Sequence, residues 1–343
     1  MTALDLARAV AASYVVLHHL AQSYGLTGGA GIVFRFGQEA VLIFFLLSGF
    51  VIFANEKDRA LDTRAYFVRR IQRIYPLLLV AMAVSCLVAL HNGTFDEQFS
   101  WQELLGNLLS LEDVSGLKPG VLVEPFMGNS PLWSLSYEVA FYVMFPLILR
   151  QWRRSPQMTN HLVGMGAVLC YILYAAMPNH WALVGAYFLV WWCGAIAANA
   201  YESGGRSFLT IGTPLHYLMV LCVAAAAVVV WQGYKGFGVY PFLPLRHFAA
   251  ALIFLVLLFS SVGARIATYS QHLERPAAAL ASISYGLYIL HYPLLIRWDY
   301  AHSIGGFVIA FMVLMILATL FDRLLSGALR MGRARNATVQ GVS

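Results

Sequence analysis

Residues 40 to 54 read AVLIFFLLSGFVIFA, a run without any charged side chain and with a single hydroxyl, on Ser48. With its borders the apolar segment covers residues 32 to 54, enough for a helix to cross a bilayer, which takes about 20 residues. The whole chain has the same character: of its 343 residues 60% are hydrophobic and 11% are charged, and its mean hydropathy is +0.70. Soluble domains carry about 25% charged residues, so this composition excludes an ordinary soluble protein.

Ten apolar segments follow one another along the chain. They cover residues 4 to 26, 32 to 54, 74 to 91, 132 to 150, 160 to 178, 181 to 200, 213 to 232, 243 to 262, 278 to 297 and 303 to 325. None alternates as a barrel strand does, and backbone groups in lipid must bond internally, so we expect helices. The sequence therefore predicts an all-α polytopic membrane bundle of about ten transmembrane helices. Residues 1 to 330 form one predicted integral-membrane domain, and residues 331 to 343 a disordered basic cytoplasmic tail.

The basic residues predict the orientation of this bundle, because cytoplasmic loops hold an excess of Lys and Arg. With both termini cytoplasmic, five of the 22 Lys and Arg fall on the outer side: Arg35, Lys118, Lys235, Arg246 and Arg297. The longest connection, residues 92 to 131, is acidic and also lies outside. Apolar residues at helical spacing from Phe99 to Leu109 predict a short amphipathic helix within it. The net charge of +6 is then an orientation signal, and we expect no nucleic-acid partner.

Ionisable side chains inside apolar segments mark candidate functional positions, because each costs about 2.5 to 3.5 kcal/mol at the bilayer centre. Arg8 and His19 lie nearly three helical turns apart, so they share a helix face at an axial separation of about 16 Å. A histidine can accept a proton from a hydroxyl near neutral pH, as a general base does. The alternative is a histidine that only packs inside the bundle.

A second cluster lies at residues 69 to 76, which read RRIQRIYP. Arg70 and Arg73 are three residues apart, and Arg69 and Arg73 are four apart, so the three guanidinium groups cluster on one helix. Guanidinium groups bind phosphate in a bidentate manner, which suits a phosphorylated ligand. The residues alone leave open a second interpretation, contact with anionic lipid head groups.

The fourth segment carries a carboxylate, Glu138, about a turn and a half beyond its outer end. An unpaired carboxylate at that depth is costly, so we expect a partner. The partner is either His19, which Glu138 would orient, or a substrate hydroxyl. A structural bond between two helices is the remaining alternative.

Together these segments resemble membrane acyltransferase family 3, the polytopic enzymes that O-acylate sugars and other acceptors. The first carries an arginine, ten residues and a histidine, from Arg8 to His19. The second contains FFLLSGF at residues 44 to 50, and the third combines Arg70 and Arg73 with a following IYP. The fourth reads WSLSYEVAFY at residues 133 to 142, and a late segment reads ISYGLYILHYP at residues 283 to 293. The five motifs stand in the family's order and span residues 4 to 293.

The resemblance implies an O-acyltransferase of a bacterial plasma (inner) membrane. Its co-substrate is cytoplasmic acetyl-CoA, and its acceptor is a hydroxyl of a carbohydrate or lipid-linked glycan, with membrane lipid as the surrounding partner. His19 is the catalytic residue, as a general base or as the acyl carrier, and Glu138 assists it. The residues expected to bind coenzyme A are Arg8, Arg69, Arg70, Arg73 and Tyr75, and those expected to bind the acceptor are Trp133 and Ser136. Tyr75 or Ser136 is the expected oxyanion donor. Tyr288 and His291 match a family motif but are expected to pack helices.

The competing interpretation is a transporter or flippase, in which buried Arg, Glu and His form a substrate path or a proton relay. That class predicts two pseudo-symmetric halves, but the pattern from Arg8 to His19 has no second copy in the sequence. No metal is expected in either case. The cysteines all lie in apolar runs without metal-ligand spacing: Cys86, Cys170, Cys193 and Cys222.

Overall fold

The computed structural model describes residues 2–59, 62–204 and 207–321. Ten long helices are numbered here in chain order: α1 (Thr2–Ser23), α2 (Gly37–Glu56), α3 (Thr63–His91), α4 (Trp133–Arg154), α5 (Pro156–Ala176), α6 (His180–Glu202), α7 (Gly212–Gln232), α8 (Phe242–Phe259), α9 (Glu274–His291) and α10 (Ile304–Phe321). Shorter helices cover Gly28–Val33, Phe95–Gln98, Trp101–Leu108 and Ser261–Ser270, and a π-helical turn, Tyr292–Arg297, extends α9. The described ranges contain no β-strand, only an isolated bridge between Glu112 and Val123.

Nine helical segments within these ranges are long and apolar enough to cross a membrane, and they include α2 to α10. They confirm the all-α polytopic bundle and nine of the ten predicted spans. The other predicted span is α1, whose 22 residues would also reach across, but Asp5, Arg8, His18 and His19 lower its hydropathy. The orientation of the termini and the single domain stay predictions, and the predicted tail at residues 331 to 343 lies outside the described residues.

Helix α3 is longer than the third predicted span, since it begins at Thr63 and not at residue 74. Asp62 caps it by accepting a hydrogen bond from the backbone N–H of Ala65 at 3.0 Å. Its 29 residues extend over about 43 Å, which exceeds the roughly 30 Å of hydrocarbon. The arginine cluster at residues 69 to 73 is therefore helical, as predicted, and it lies toward one end of a helix that reaches from face to face.

The connection between α3 and α4 enters the bundle. Its helix Trp101–Leu108 confirms the predicted amphipathic helix. Beyond it Lys118 and Asp113, only 2% and 1% exposed, form an ion pair of 2.6 Å, and the Lys118 ammonium also lies 4.0 Å from the ring centre of Trp133. Burial lowers the pKa of Lys118, while Asp113 opposes this shift. Because a buried ion pair is tolerated only with good partners, this contact anchors the connection inside the protein, and α4 begins at an interior position.

Helices α2 and α6 cross with their backbones in contact. A Cβ on Gly49 would lie 2.0 Å from the carbonyl oxygen of Trp191, and one on Gly194 would lie 1.9 Å from that of Leu46. Small residues allow such close approach between helices in lipid. The glycine of the FFLLSGF segment thus holds α2 against α6, the most buried of the nine candidate spans.

We expect Gly49→Val to destabilise the protein by about 3 kcal/mol, because the new side chain meets a backbone carbonyl that moves only if α2 and α6 separate. The measurement is the thermal unfolding midpoint of the purified protein in detergent. Gly166→Val is the matched control, since Gly166 has nothing within 4 Å of its Cβ position. Equal losses in the two variants would contradict the close crossing.

Candidate active site

A cavity of about 350 Å³ lies where α1, α2, α3, α4 and α9 meet, at the end of α3 that carries the arginines. We call it the arginine cavity. Its polar and charged lining residues are Arg8, Ser48, Asn55, Glu56, Arg59, Arg69, Arg70, Arg73, Ser134, Glu138, Tyr142, Ser284, Tyr285 and Tyr288. The four arginines predicted as one group, from α1 and α3, are thus brought together.

Two of these arginines are paired with a buried carboxylate. Arg69 Nη2 lies 2.7 Å and 3.0 Å from the two carboxylate oxygens of Glu56, and Arg70 Nη2 lies 3.7 Å from the first of them. Arg70 also lies over the rings of Tyr66 and Tyr142, at 5.4 Å and 5.7 Å. Sequence reasoning missed Glu56, which stands among other charges at the end of α2. Because it neutralises part of the cluster, the four arginines are not equivalent.

Arg8 and Arg73 have no hydrogen-bond or salt-bridge partner among the residues that the structure describes. The contact of Arg73 is with the ring of Tyr285, at 5.9 Å. Two guanidinium groups that face one cavity repel each other, and an anion placed between them relieves that repulsion. This part of the arginine cavity is therefore suited to a negatively charged ligand.

Glu138 accepts hydrogen bonds from two hydroxyls, that of Ser48 on α2 at 3.0 Å and that of Tyr142 one turn along α4. Both bonds go to the same oxygen, Oε1. The structure does not pair Glu138 with His19, so the expectation that Glu138 orients the imidazole is not met. Its carboxylate faces the arginine cavity, where the second expectation, contact with a substrate, stays a prediction.

The partner of His19 is His291. His19 Nδ1 lies 3.0 Å from His291 Nε2, and His291 Nδ1 lies 2.9 Å from the carbonyl oxygen of Leu287. A carbonyl only accepts, so His291 Nδ1 carries a hydrogen and Nε2 of the neutral ring is an acceptor. His19 Nδ1–H must then be the donor between the rings. The network therefore leaves Nε2 of His19 with a free lone pair.

This histidine pair lies just beyond the deep end of the arginine cavity. Tyr288 lines the cavity, and His291 follows one turn later on α9, about 4.5 Å further along the helix axis. The Tyr288 hydroxyl contacts the Ser134 hydroxyl and the carbonyl oxygen of Pro131, both at 2.9 Å. Sequence reasoning assigned Tyr288 and His291 to helix packing, and both join helices here; Tyr288 also lines the cavity, and His291 is the side-chain partner of His19.

Three predicted site residues lie away from this cavity. Tyr75 donates to the carbonyl of Leu108 in the connection at 3.1 Å, and the buried Ser136 donates to the carbonyl of Trp133 at 2.9 Å. Trp133 is buried against Phe45 and beneath Lys118. Since α4 begins inside the bundle, Trp133 and Ser136 are buried in its core, and the hydroxyl of Tyr75 on α3 bonds to the connection. Binding of a ligand by these three residues stays a prediction.

A second cavity, of about 200 Å³, lies at the opposite end of α3, near its last residues. We call it the loop cavity, because the connection between α3 and α4 and the π-helical turn after α9 both line it. Its polar lining residues are Ser85, Asn92, Thr94, Gln98, Asn129, Arg297 and Asp299. Pro293 also lines it, only two residues after His291. Along α9 the histidine pair thus lies between the two cavities.

No group of three or more His, Cys, Asp or Glu side chains in the described ranges could hold a metal ion. The fold and site define a polytopic helical membrane protein with an anion-accepting cavity next to a histidine pair. The model of the acyltransferase 3 family, described as an acyltransferase domain, matches residues 1–323, and the chain belongs to this family. It is an integral membrane protein of that family.

Curated relatives agree with this assignment. The acyltransferase MdmB of Streptomyces mycarofaciens is 38% identical over 122 residues, 35% of this chain and 30% of MdmB. YrhL of Bacillus subtilis (strain 168) is 27% identical over 92% of this chain and 52% of YrhL, and the peptidoglycan O-acetyltransferase OatA of Listeria monocytogenes is 25% identical over 85% and 49%. The chain thus spans about half the length of the relatives that it matches over most of its own length. No solved structure matches it.

The hydrogen bonds of the histidine pair predict which nitrogen of His19 carries the hydrogen. In protein labelled with ¹⁵N-histidine, assigned by comparison with His19→Gln, we expect Nδ1 of His19 to be protonated and Nε2 to be bare at neutral pH. His291→Leu removes the imidazole acceptor and leaves the backbone of Val15 as a partner of the His19 ring, so the share of the Nε2-protonated tautomer should rise in that variant. A protonated Nε2 in the unaltered protein would contradict the assignment.

Proposed function

We propose that this membrane acyltransferase moves an acetyl group from acetyl-CoA to a hydroxyl of a carbohydrate, either free or carried by a lipid, in the inner membrane of a bacterium. The observation that carries the proposal is the unpaired Arg8 and Arg73 in a cavity whose deep end lies one turn from the His19–His291 pair. An anion site that leads toward a free imidazole nitrogen suits a donor with phosphates at one end and a thioester at the other.

In this proposal the donor enters the arginine cavity from the cytoplasm. Arg8 and Arg73 bind phosphates of coenzyme A, since guanidinium–phosphate contacts are charge-assisted and bidentate. The charges of Arg69 and Arg70 are partly balanced by Glu56, so these two contribute less to the ligand. The cavity is small for the whole coenzyme, so its nucleotide stays at the mouth while the pantetheine arm extends toward Tyr288. Glu138 then serves as an acceptor for the amide N–H groups of that arm.

The chemistry assigned to His19 is general base catalysis. Its Nε2 takes the proton of the acceptor hydroxyl while the oxygen attacks the thioester carbonyl carbon. The tetrahedral intermediate then breaks its carbon–sulfur bond, and the leaving sulfur takes the proton back from the imidazolium. His291 accepts a hydrogen bond from His19 Nδ1–H throughout, which holds the ring and stabilises the imidazolium. In the alternative route Nε2 attacks the thioester first and carries the acetyl group; the direct route is preferred because it needs no extra intermediate.

Two findings support an acyl transfer and a glycan acceptor. The family model and the names MdmB and OatA describe acyltransferases, so the buried Arg, Glu and His need no transport path to explain them. OatA is named for peptidoglycan, a glycan, and we extend that class of acceptor to this chain. The transporter alternative is favoured by no observation in the described residues.

We expect His19→Gln to lower the rate of acetyl transfer at least a hundredfold, because a general base contributes about 10² to 10⁴ to a rate and an amide cannot act as one. Glutamine keeps a polar group opposite His291, so the unfolding midpoint should change little. The measurement is acetyl transfer from labelled acetyl-CoA to glycan fractions, followed by mass spectrometry. His18→Gln, at the next residue of α1, is the control and should stay within a few-fold; full turnover of His19→Gln would remove the catalytic role.

We expect Arg73→Ala to raise the KM for acetyl-CoA about tenfold or more, since a hydrogen bond to a charged group contributes roughly 1.5 to 3 kcal/mol. Arg64→Ala is the matched control: it removes the same charge from α3 at an exposed position that does not line the arginine cavity. The measurement is steady-state kinetics with both variants in the same lipid. Equal effects would mean that these arginines only orient the protein against anionic head groups.

A further inference from the structure

The loop cavity gives the histidine pair a second approach. It lies at the end of α3 opposite the arginines, so a ligand in it cannot be the one that binds Arg8 and Arg73. Pro293 in its wall is two residues from His291, about 3 Å along the helix axis. The ring of Tyr292, the residue between them, lies 5.0 Å from the ring of His19. A ligand in the loop cavity would therefore approach the histidine pair from the side opposite to the arginine cavity.

The lining of the loop cavity is rich in groups that both donate and accept hydrogen bonds. Asn92, Gln98 and Asn129 supply amides, and the charges of Arg297 and the exposed Asp299 sum to zero. Asn92 is itself bonded to the carbonyl of Arg297 and the N–H of Asp299. The Oε1 of Gln98 accepts from Arg297. Such a lining has no net preference for an anion or a cation. Adjacent hydroxyl groups, each a donor and an acceptor, match interspersed amides of this kind.

One buried group in this wall lacks a partner. Asn129 is 1% exposed, and its Nδ2 donates to the carbonyl oxygen of Ile289 on α9 at 3.1 Å. That bond fixes the orientation of the amide, and it leaves the buried Oδ1 without a donor in the described structure. An unsatisfied buried acceptor is costly, and a ligand hydroxyl would satisfy it. Asn129 holds the same stretch of helix that carries His291, so a hydroxyl bonded to it is near the histidine pair.

The backbone beside Asn129 is held in an unusual conformation. Met127 has a φ of 52°, in the left-handed region that non-glycine residues rarely adopt, and Gly128 follows with a φ of 66°. A Cβ on Gly128 would lie 3.4 Å from the guanidinium of Arg297, which itself donates to Gln98 at 2.8 Å. Backbone strain of this kind is retained where surrounding contacts over-determine it, often at ligand sites. In this protein the strained turn at Met127 and Gly128 lies against Arg297, and Arg297 and Asn129 line the same cavity.

We infer that the loop cavity is the acceptor site and that it takes one sugar unit, or a polyol of similar size, with a hydroxyl aimed at His19. The inference rests on the proposed function and adds the place of the acceptor site and the residues that recognise the sugar. The volume of about 200 Å³ suits a ligand of the size of one sugar ring. The larger glycan, if there is one, remains outside, on the side of Asp299.

The kinetic test compares Gln98→Ala and Arg297→Lys with the unaltered protein, using N-acetylglucosamine and methyl glucoside as acceptor probes and acetyl-CoA as donor. We expect the KM for the sugar to rise about tenfold, because one hydrogen bond to the ligand is lost, while the KM for acetyl-CoA stays constant. Gln102→Ala is the matched control, since Gln102 is exposed in the same connection and outside the cavity. Unchanged sugar KM values in both cavity variants would overturn the inference.

A binding test without turnover separates this inference from the proposed function. A cysteine placed at the cavity wall by Thr94→Cys should react with a water-soluble maleimide, and 100 mM of either sugar probe should slow the reaction several-fold. Ser115→Cys, exposed in the same connection, should show no protection. Protection without any acetyl transfer would refute the proposed function and leave the sugar site standing. Transfer without protection, or neither result, would overturn the sugar site.

Discussion

The hydrogen bond between His19 and His291 joins α1 to α9, and the arrangement of the site depends on it. Helix α1 carries Asp5, Arg8, His18 and His19 and is not among the nine segments that are long and apolar enough to cross a membrane, so contacts with protein must hold it in place. The two imidazoles satisfy each other at a depth where an unpaired polar group is expensive. Because His291 is in turn bonded to the carbonyl of Leu287, the same chain of bonds that packs α1 also sets the tautomer of His19.

The charged residues of the bundle divide by whether they are compensated. Asp113 and Lys118 form an ion pair in the connection between α3 and α4. Glu56 at the end of α2 forms salt bridges with Arg69 and Arg70. Arg8 and Arg73 have no such partner in the described structure. Paired charges hold helices and loops together, because removing one member of a buried pair leaves the other charge buried without a partner and destabilises the fold. Arg8 and Arg73, which lack a direct partner among the described residues, mark where a ligand charge would bind, and both face one cavity.

The sequence predicted the parts of this structure that local patterns encode. Long apolar runs in lipid allow little besides helices, so nine of the ten spans were placed to within a few residues, except for the early start of α3. Helical spacing likewise grouped Arg70 with Arg73. The sequence could not predict which residues are buried at the start of α4, nor which side chains far apart in the chain pair with each other. His291 is 272 residues from His19, and the interior position of Trp133 follows from the ion pair in the preceding connection, so neither leaves a periodic signal.

The free guanidinium groups of Arg8 and Arg73 have a further consequence under the proposed function. They recognise phosphates, which spent coenzyme A carries in the same number and positions as its thioester. Discrimination between acetyl-CoA and free coenzyme A then depends on the thioester end of the pantetheine arm, near Tyr288, because the two molecules differ only by the acetyl group. Free coenzyme A would therefore compete with acetyl-CoA for the same binding site. The rate of acetyl transfer would then depend on the cellular ratio of acetyl-CoA to free coenzyme A rather than on the concentration of either alone.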